Sequence, residues 1–217
     1  MNTAKENVFD TGAEKYDGWY DSENGKPLYQ SEVECLRPLV PETGGPILEI
    51  GVGTGRFAMH FPGAYGVDPA FSTLKIAQTR GVRCVRGRGE TLPFRCRTFE
   101  TVLVIATLCF VKEPVLLLKE AKRVLTGEGS IVVGFIPKDS PWGIFCEEKK
   151  RRGSPFYGGA SFYTFPSLEY LLREAGLKAS RIRSTLLREP SVPAKVEESH
   201  EGHVRGAGFV CVKVESQ

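Results

Sequence analysis

The sequence predicts an α/β fold: a doubly wound, largely parallel sheet with helices on both faces. Two observations predict it. Short apolar runs of strand character alternate with amphipathic helical segments through most of the 217 residues. A glycine-rich turn, Gly51-Val52-Gly53-Thr54-Gly55, follows the first apolar run and opens into a helix-like segment. In such sheets ligands bind beyond the carboxyl ends of the strands, which is where that turn would sit. Length and composition, with 41% hydrophobic and 25% charged residues, suit one domain with a sizeable core.

The elements follow in order. Residues 1–26 are polar yet carry Phe9, Tyr16, Trp19 and Tyr20, more aromatic character than a disordered tail holds. Residues 27–40 space Leu28, Val33, Leu36 and Leu39 as a helix does, and Pro41 to Pro46 breaks the chain. Pro46 to Ile50 reads as a buried strand with one acid, Glu49. The glycine turn then leads into a short helix over Arg56 to His60, stopped by Phe61-Pro62-Gly63. Ala64 to Val67 is the second strand, closed by Asp68-Pro69. Residues 71–80 form a helix with Phe71, Leu74 and Ala77 on one face and Gly81 as its stop. Val82 to Val85 is a third strand, and Thr101 to Ala106 is apolar throughout, as a strand buried on both faces should be. Pro114 starts a helix with Val115, Leu118, Ala121 and Leu125 as its stripe. Gly127-Glu128-Gly129 turns into the strand Ser130 to Ile136. Residues 137–163 are irregular, and Thr164 caps a helix burying Leu168, Leu171, Leu172 and Ala175. Lys178 to Leu187 and Gly208 to Val214 are two final strands, which makes seven.

The glycine turn carries the chemistry. A tight strand-to-helix turn needs glycine for unusual φ angles and for close approach of a ligand to the backbone. A dinucleotide pyrophosphate prefers G-x-G-x-x-G, whereas here the spacing is G-x-G-x-G and Arg56 stands where the third dinucleotide glycine would be. Asp68 ends the second strand, about one helix and one strand further on. A carboxylate there can accept hydrogen bonds from both hydroxyls of a ribose; its other reading is a turn residue before proline.

Taken together, Ile47-Leu48-Glu49-Ile50-Gly51-Val52-Gly53-Thr54-Gly55 and Gly66-Val67-Asp68-Pro69 resemble the class I S-adenosylmethionine (SAM)-dependent methyltransferases. The likeness is to the type 11 group, which includes ubiquinone and menaquinone biosynthesis methyltransferases. It covers roughly residues 8 to 177. It continues in Gly87-Arg88-Gly89-Glu90-Thr91-Leu92-Pro93-Phe94, in Phe99-Glu100-Thr101-Val102, in Cys109 to Pro114, and in Glu120 to Gly129. The resemblance implies a Rossmann-like seven-stranded sheet of order 3-2-1-4-5-7-6 with strand 7 antiparallel. It implies SAM as cofactor, with S-adenosylhomocysteine as product, and a small-molecule methyl acceptor. By the same resemblance Gly51, Gly53 and Gly55 pass beneath the methionine part of SAM, and Glu49 supports the loop through hydrogen bonds to its amides, directly or through water. Asp68, with Pro69 beside it, takes the ribose. Gly89, Glu90 and Leu92 flank the adenine, while Ala106, Thr107 and Tyr16 approach the rest of the cofactor. Arg88 departs from the pattern: the family often has an acid or amide there, and a cation cannot accept a hydrogen bond from the adenine amino group.

The resemblance also implies a single domain over 1–217, with residues 1–40 as an N-terminal lid and helix segment and 137–163 as a substrate-covering insertion. Tyr20, Cys109, Phe110, Tyr157 and Tyr163 are the expected substrate-pocket residues, alongside Trp19, Phe156 and Phe162. Methyl transfer from a sulfonium needs placement more than a base, and no catalytic base stands out. His60 reads as a packed or half-exposed helix residue; His200 and His203 read as part of a mobile polar loop. A non-catalytic or regulatory SAM-binding protein is the alternative reading, and enzymes using NAD or decarboxylated SAM are disfavoured. The six cysteines are scattered without a CxxC pair, so no metal site is expected. A dispersed net charge of +3 gives no reason to expect a nucleic-acid partner, and the basic run Lys149 to Arg152 follows Glu147-Glu148 as on a solvated face. The sequence has neither a membrane-length apolar run nor a signal-like start. The expectation is a cytoplasmic enzyme, monomeric or homodimeric.

Overall fold

A computed structural model describes residues 8–42 and 44–216. Residues 1–7, the start of the expected lid, and Thr43, inside the expected chain break, lie outside the described residues. The strands are β1 (Ile47–Ile50), β2 (Tyr65–Asp68), β3 (Arg83–Arg86), β4 (Phe99–Ile105), β5 (Leu125–Phe135), β6 (Leu177–Thr185), β7 (His200–Glu201) and β8 (Phe209–Ser216). They form one sheet of order β3-β2-β1-β4-β5-β8-β6-β7. Neighbours from β3 through β5 pair in parallel, and β8 is antiparallel to both β5 and β6. The Rossmann-like α/β order expected from the sequence is therefore present. An eighth, two-residue strand is added on the outer edge of β6 by residues that read as a mobile loop.

The helices are α1 (Val8–Thr11), α2 (Ala13–Trp19), α3 (Gly25–Leu36), α4 (Phe71–Thr79), α5 (Pro114–Val124), α6 (Pro141–Arg151) and α7 (Phe165–Glu174). Strand alternation decides the layers. Leu48 and Ile50 of β1, Val102 and Val104 of β4, and Ile131 and Val133 of β5 point to the face covered by α5 and α7. Leu103, Ile105 and Val132 point the other way, against Leu28, Val33 and Leu36 of α3. Leu74 and Ala77 of α4 pack on Val52, Ala58, Ala64 and Val82. β4 is buried on both faces, as its unbroken apolar run predicts. No helix among the described residues is long and apolar enough to cross a membrane.

Several local expectations are corrected. The helix after the glycine turn is a single 3-10 turn, Ala58–His60, because only six residues separate Gly55 from the break at Pro62. Phe71 is half exposed, not buried; its ring lies under the Lys75 ammonium and the Arg86 guanidinium. β5 begins at Leu125 and runs through the glycines expected as a turn, with a register shift against β4 between Phe99 and Thr101. The stretch 137–163 contains α6, whose start Ser140 caps by accepting from the Gly143 N–H at 3.0 Å. The basic run lies at the end of α6, where Glu148 pairs with both Arg151 and Arg152. Thr164 caps α7 as expected, its hydroxyl accepting from the Ser167 N–H at 3.2 Å.

Candidate active site

The glycine turn sits where β1 ends. Gly51, Gly53 and Gly55 all have positive φ, at 72°, 50° and 79°, which is why glycine is required at each. The Gly51 and Val52 N–H groups donate to the Val67 carbonyl at 2.8 and 3.1 Å, so the turn is laced to β2. A β-carbon on Gly51 would collide with the Thr107 side chain, and one on Gly55 would crowd Ala77 and Val82. Gly53 is the open one of the three: a β-carbon there would meet nothing within 4 Å.

Asp68 closes β2 opposite this turn. Its Oδ2 accepts from the Gly53 N–H at 3.0 Å and its Oδ1 from the Ala70 N–H at 2.8 Å. Burial pushes its carboxyl above the ordinary aspartate range, against the lowering effect of those two amides. Turn and acid together edge a cavity of about 400 Å³ at the carboxyl ends of β1, β2 and β4. Its apolar walls include Ile50, Val67 and Leu117. Gly51, Gly53, Asp68, Pro69, Gly89, Glu90, Ala106, Thr107 and Tyr16, all singled out from the sequence, line it. Arg88 lines it too, but its largely exposed guanidinium reaches Glu90 at 3.1 Å, so Arg88 and Glu90 form one pair at the mouth.

Glu49, Gly55 and Leu92 stand outside that lining. Glu49 alternates with Leu48 and Ile50 and so points to the opposite face of the sheet, beneath the Ala58–His60 turn. There it is 2% exposed, the Ala58 N–H is directed at it, one carboxyl oxygen has no partner, and burial raises its pKa well above the usual range. Of the loop amides, those of Gly51 and Val52 go to the Val67 carbonyl and that of Gly53 to Asp68, so Glu49 does not hold these three directly. Leu92 is buried behind the cavity, its N–H donating to Glu120 and its carbonyl accepting from Arg123.

A second cavity of about 490 Å³ adjoins the first, and Phe9, Tyr16, Ala106, Phe110 and Phe156 line both. Tyr20, Cys109, Phe110 and Tyr157, expected around a substrate, line the second cavity. Tyr163 does not; it borders a small crevice with Cys109, Phe135 and Leu168. The Tyr16 and Tyr20 hydroxyls lie 2.9 Å apart, and burial raises Tyr16 to about 12. Edge-to-face ring contacts run from Phe110 through Phe9 and Tyr16 to Tyr20. Ala106 has a φ of 49°, an uncommon conformation for a residue with a β-carbon, at the place where the two cavities meet. Cys109 is a packed thiol that burial pushes to about 12.

Sequence reasoning missed two residues here. Arg56 looked like a substitution in a glycine pattern, yet its guanidinium clasps the N-terminal segment. It donates to Asp17 from Nε and Nη2 at 2.9 and 2.8 Å and to Asp21 at 2.9 and 2.6 Å, while Arg80 also reaches Asp17 at 2.8 Å. The available signal was the pair of acids Asp17 and Asp21, one on α2 and one in the turn just after it. Glu32 lines the second cavity from α3. Flanked by Ser31 and Val33, it reads in sequence as an ordinary polar helix position.

The histidines lie elsewhere. His60 Nε2 is 2.7 Å from the Tyr29 hydroxyl; because that hydroxyl donates to the Arg56 carbonyl, His60 is the donor in the pair. His200 is exposed in β7, and the His203 ring stacks on Phe165 at 4.2 Å. All six cysteines are free thiols. Among the described residues no group of three or more His, Cys, Asp or Glu is placed to hold a metal ion.

The family described as "Methyltransferase domain" matches residues 48–133, which span β1 through most of β5. An uncharacterized protein of Methanocaldococcus jannaschii is 42% identical over 209 residues, covering 96% of this chain and 98% of its own. An uncharacterized protein of Mycobacterium tuberculosis is 41% identical over 206 residues, 94% of this chain and 72% of that protein. A crystal structure from Thermotoga maritima, described as a SAM-dependent methyltransferase and possible histamine N-methyltransferase, superposes with a TM-score of 0.89 at 33% identity. That match covers 97% of this chain and 98% of the other. With the sheet order, the positive-φ glycine turn and the acid ending β2 already in place, this likeness along nearly the whole chain settles the family: the protein belongs to the class I SAM-dependent methyltransferases, in the type 11 group.

Proposed function

We propose that this methyltransferase acts on a small-molecule acceptor held in the 490 Å³ cavity, with SAM held in the 400 Å³ cavity. One observation carries the reading: the two cavities adjoin at Ala106, Tyr16 and Phe110, so one pocket can present a methyl donor to an acceptor in the other. Both volumes fall within the roughly 300–1,000 Å³ of small-molecule sites. The Thermotoga maritima relative, described as a possible histamine N-methyltransferase, fits an acceptor of that size.

The fit to SAM rests on the donor and acceptor set. Asp68 presents carboxyl oxygens to the first cavity for a ribose, the open face of Gly53 lets a chain pass close to the backbone, and Ile50, Val67 and Leu117 offer apolar surface for a flat base. Glu90 or the Gly89 backbone is the group to read the adenine amino side, since the Arg88 guanidinium has no acceptor to offer. SAM supplies an activated methyl group on a sulfonium when bound. The chain's own part is to exclude water and hold the acceptor in line. We assign the first of these tasks to the lid carrying Phe9, Tyr16 and Tyr20, pinned by Arg56.

Calorimetry with SAM and S-adenosylhomocysteine, followed by transfer of labelled methyl into a small-metabolite extract, tests the reading. Binding with label recovered in low-molecular-weight material is the expected outcome. Folded protein that binds neither ligand, or that labels only macromolecules, would sink it.

A further inference from the structure

We propose that Glu32 makes the second cavity an amine site, taking an acceptor whose nitrogen lies at the Glu32 carboxyl and whose apolar body lies against the rings of Tyr16, Trp19, Tyr20, Phe156 and Tyr157. This rests on the reading of that cavity as the acceptor site.

Three observations on Glu32 lead there. Its side chain lines the cavity. No described protein group hydrogen-bonds or ion-pairs with it, and burial raises its pKa to about 8 with no opposing charge acting on it. The cations that line the same cavity are not its partners. Arg152 is held by Glu148 at 2.8 Å, the Lys149 ammonium lies 4.4 Å from the centre of the Phe145 ring, and Lys15 forms no pair with Glu32. A desolvated carboxyl is costly unless something completes it. Here the empty side faces the place where a ligand would sit. A nitrogen base is the complement: it can donate its N–H to the carboxyl, and the electron-rich faces of the surrounding rings favour the positive charge it gains. Once Glu32 is ionised, a carboxylate acceptor would be repelled by it, and an alcohol would gain nothing from the rings' attraction for a cation.

The chemistry balances. The lone pair of the free amine forms the new N–C bond as the C–S bond breaks with its electron pair going to sulfur, and the positive charge passes from sulfur to nitrogen. The ionised Glu32 carboxylate, beside that nitrogen, stabilises the developing charge and accepts one N–H proton, which leaves to solvent when the product departs.

The test uses methyl-labelled SAM and acceptors matched in body: 2-phenylethylamine and N-methyl-2-phenylethylamine against 2-phenylethanol and phenylacetate. Label is expected in one or more of the amines and not in the alcohol or the acid. Glu32→Gln, close in size, should lower kcat/KM for the amine roughly ten- to a hundredfold while leaving S-adenosylhomocysteine affinity unchanged. Glu32→Asp, which keeps the charge, should retain the amine preference at a reduced rate. If the wild-type protein binds S-adenosylhomocysteine yet labels none of the amines, or prefers the alcohol or the acid, the amine assignment is wrong. Wild-type rates in the folded Gln variant would equally overturn it. Failure to bind S-adenosylhomocysteine would instead remove the reading of the site itself, and this assignment with it.

Discussion

At the scale of the residue, the turn-holding role of Asp68 and the cofactor role proposed for it can be separated. Its carboxyl already takes the Gly53 and Ala70 amides, and it faces the first cavity with its remaining lone pairs. Asp68→Ala should therefore weaken S-adenosylhomocysteine binding about 10- to 100-fold and also destabilise the free protein by about 1–3 kcal/mol, because two amides lose their acceptor. Calorimetry and thermal melts read the two losses independently; a variant that melts early but binds as well as wild type would reduce Asp68 to a turn residue. Asp68 and the glycines were legible in sequence as parts of a tight strand-to-helix turn. Each fills a backbone position few other residues can fill, and each lies within a few residues of the element that defines it. Glu49 was just as visible, but its direction is set by strand alternation and by what covers the far face of the sheet. Glu32 was not legible at all, since its surroundings come from α2, α6 and the Phe156-Tyr157 turn, distant in sequence from α3.

At the scale of the element, the question is what keeps α2 over the cavities. It is a seven-residue helix with only Ala13 buried in its own right, too short to persist alone. Its attachment is electrostatic and aromatic. Although burial by itself would raise Asp17, the hydrogen bonds from Arg56 and Arg80 carry its pKa down to about 2. A lowered carboxyl stabilises the docked state above its unfolded value of 3.8, and that contribution is lost as pH falls through about 2. At neutral pH the clasp is fully formed. Asp17→Asn should cost about 1–3 kcal/mol of lid docking, so acceptor KM should rise and the bonds before Gly25 should become more sensitive to limited proteolysis, with global melting changed less. Unchanged proteolysis and KM would show that the aromatic contacts of Phe9, Tyr16 and Tyr20 hold the lid without it. Elements with their own periodicity, such as β4, α5 and α7, were legible in sequence. α6 was obscured because Pro141 and Gly143 look like breakers, whereas Pro141 occupies the first turn and Gly143 fits against the Pro137 carbonyl where a β-carbon would not.

At the scale of the whole molecule, the fold is a conventional scaffold with three expensive acids set into it, two on strands and one on α3. Glu32, Glu49 and Asp68 are each raised by burial above the ordinary carboxylate range. A raised carboxyl favours the folded state below its unfolded pKa and loses that advantage as pH rises through the folded value. For Glu32 the window runs from 4.5 to about 8. Across it the free protein must either keep Glu32 protonated or hold an uncompensated charge beside the aromatic wall. Glu32→Gln removes that liability, so the variant should match wild type near pH 4.5 and exceed it by on the order of 1–3 kcal/mol at pH 8.5, a rise of about 3–8 °C in Tm. Thermal melts of both proteins, without ligand, across that pH range decide the matter. A Tm difference that is flat with pH would mean that Glu32 is well solvated in the free protein. A difference that widens with pH, in a variant that has lost amine methylation, would identify Glu32 as a site where stability has been given up for function.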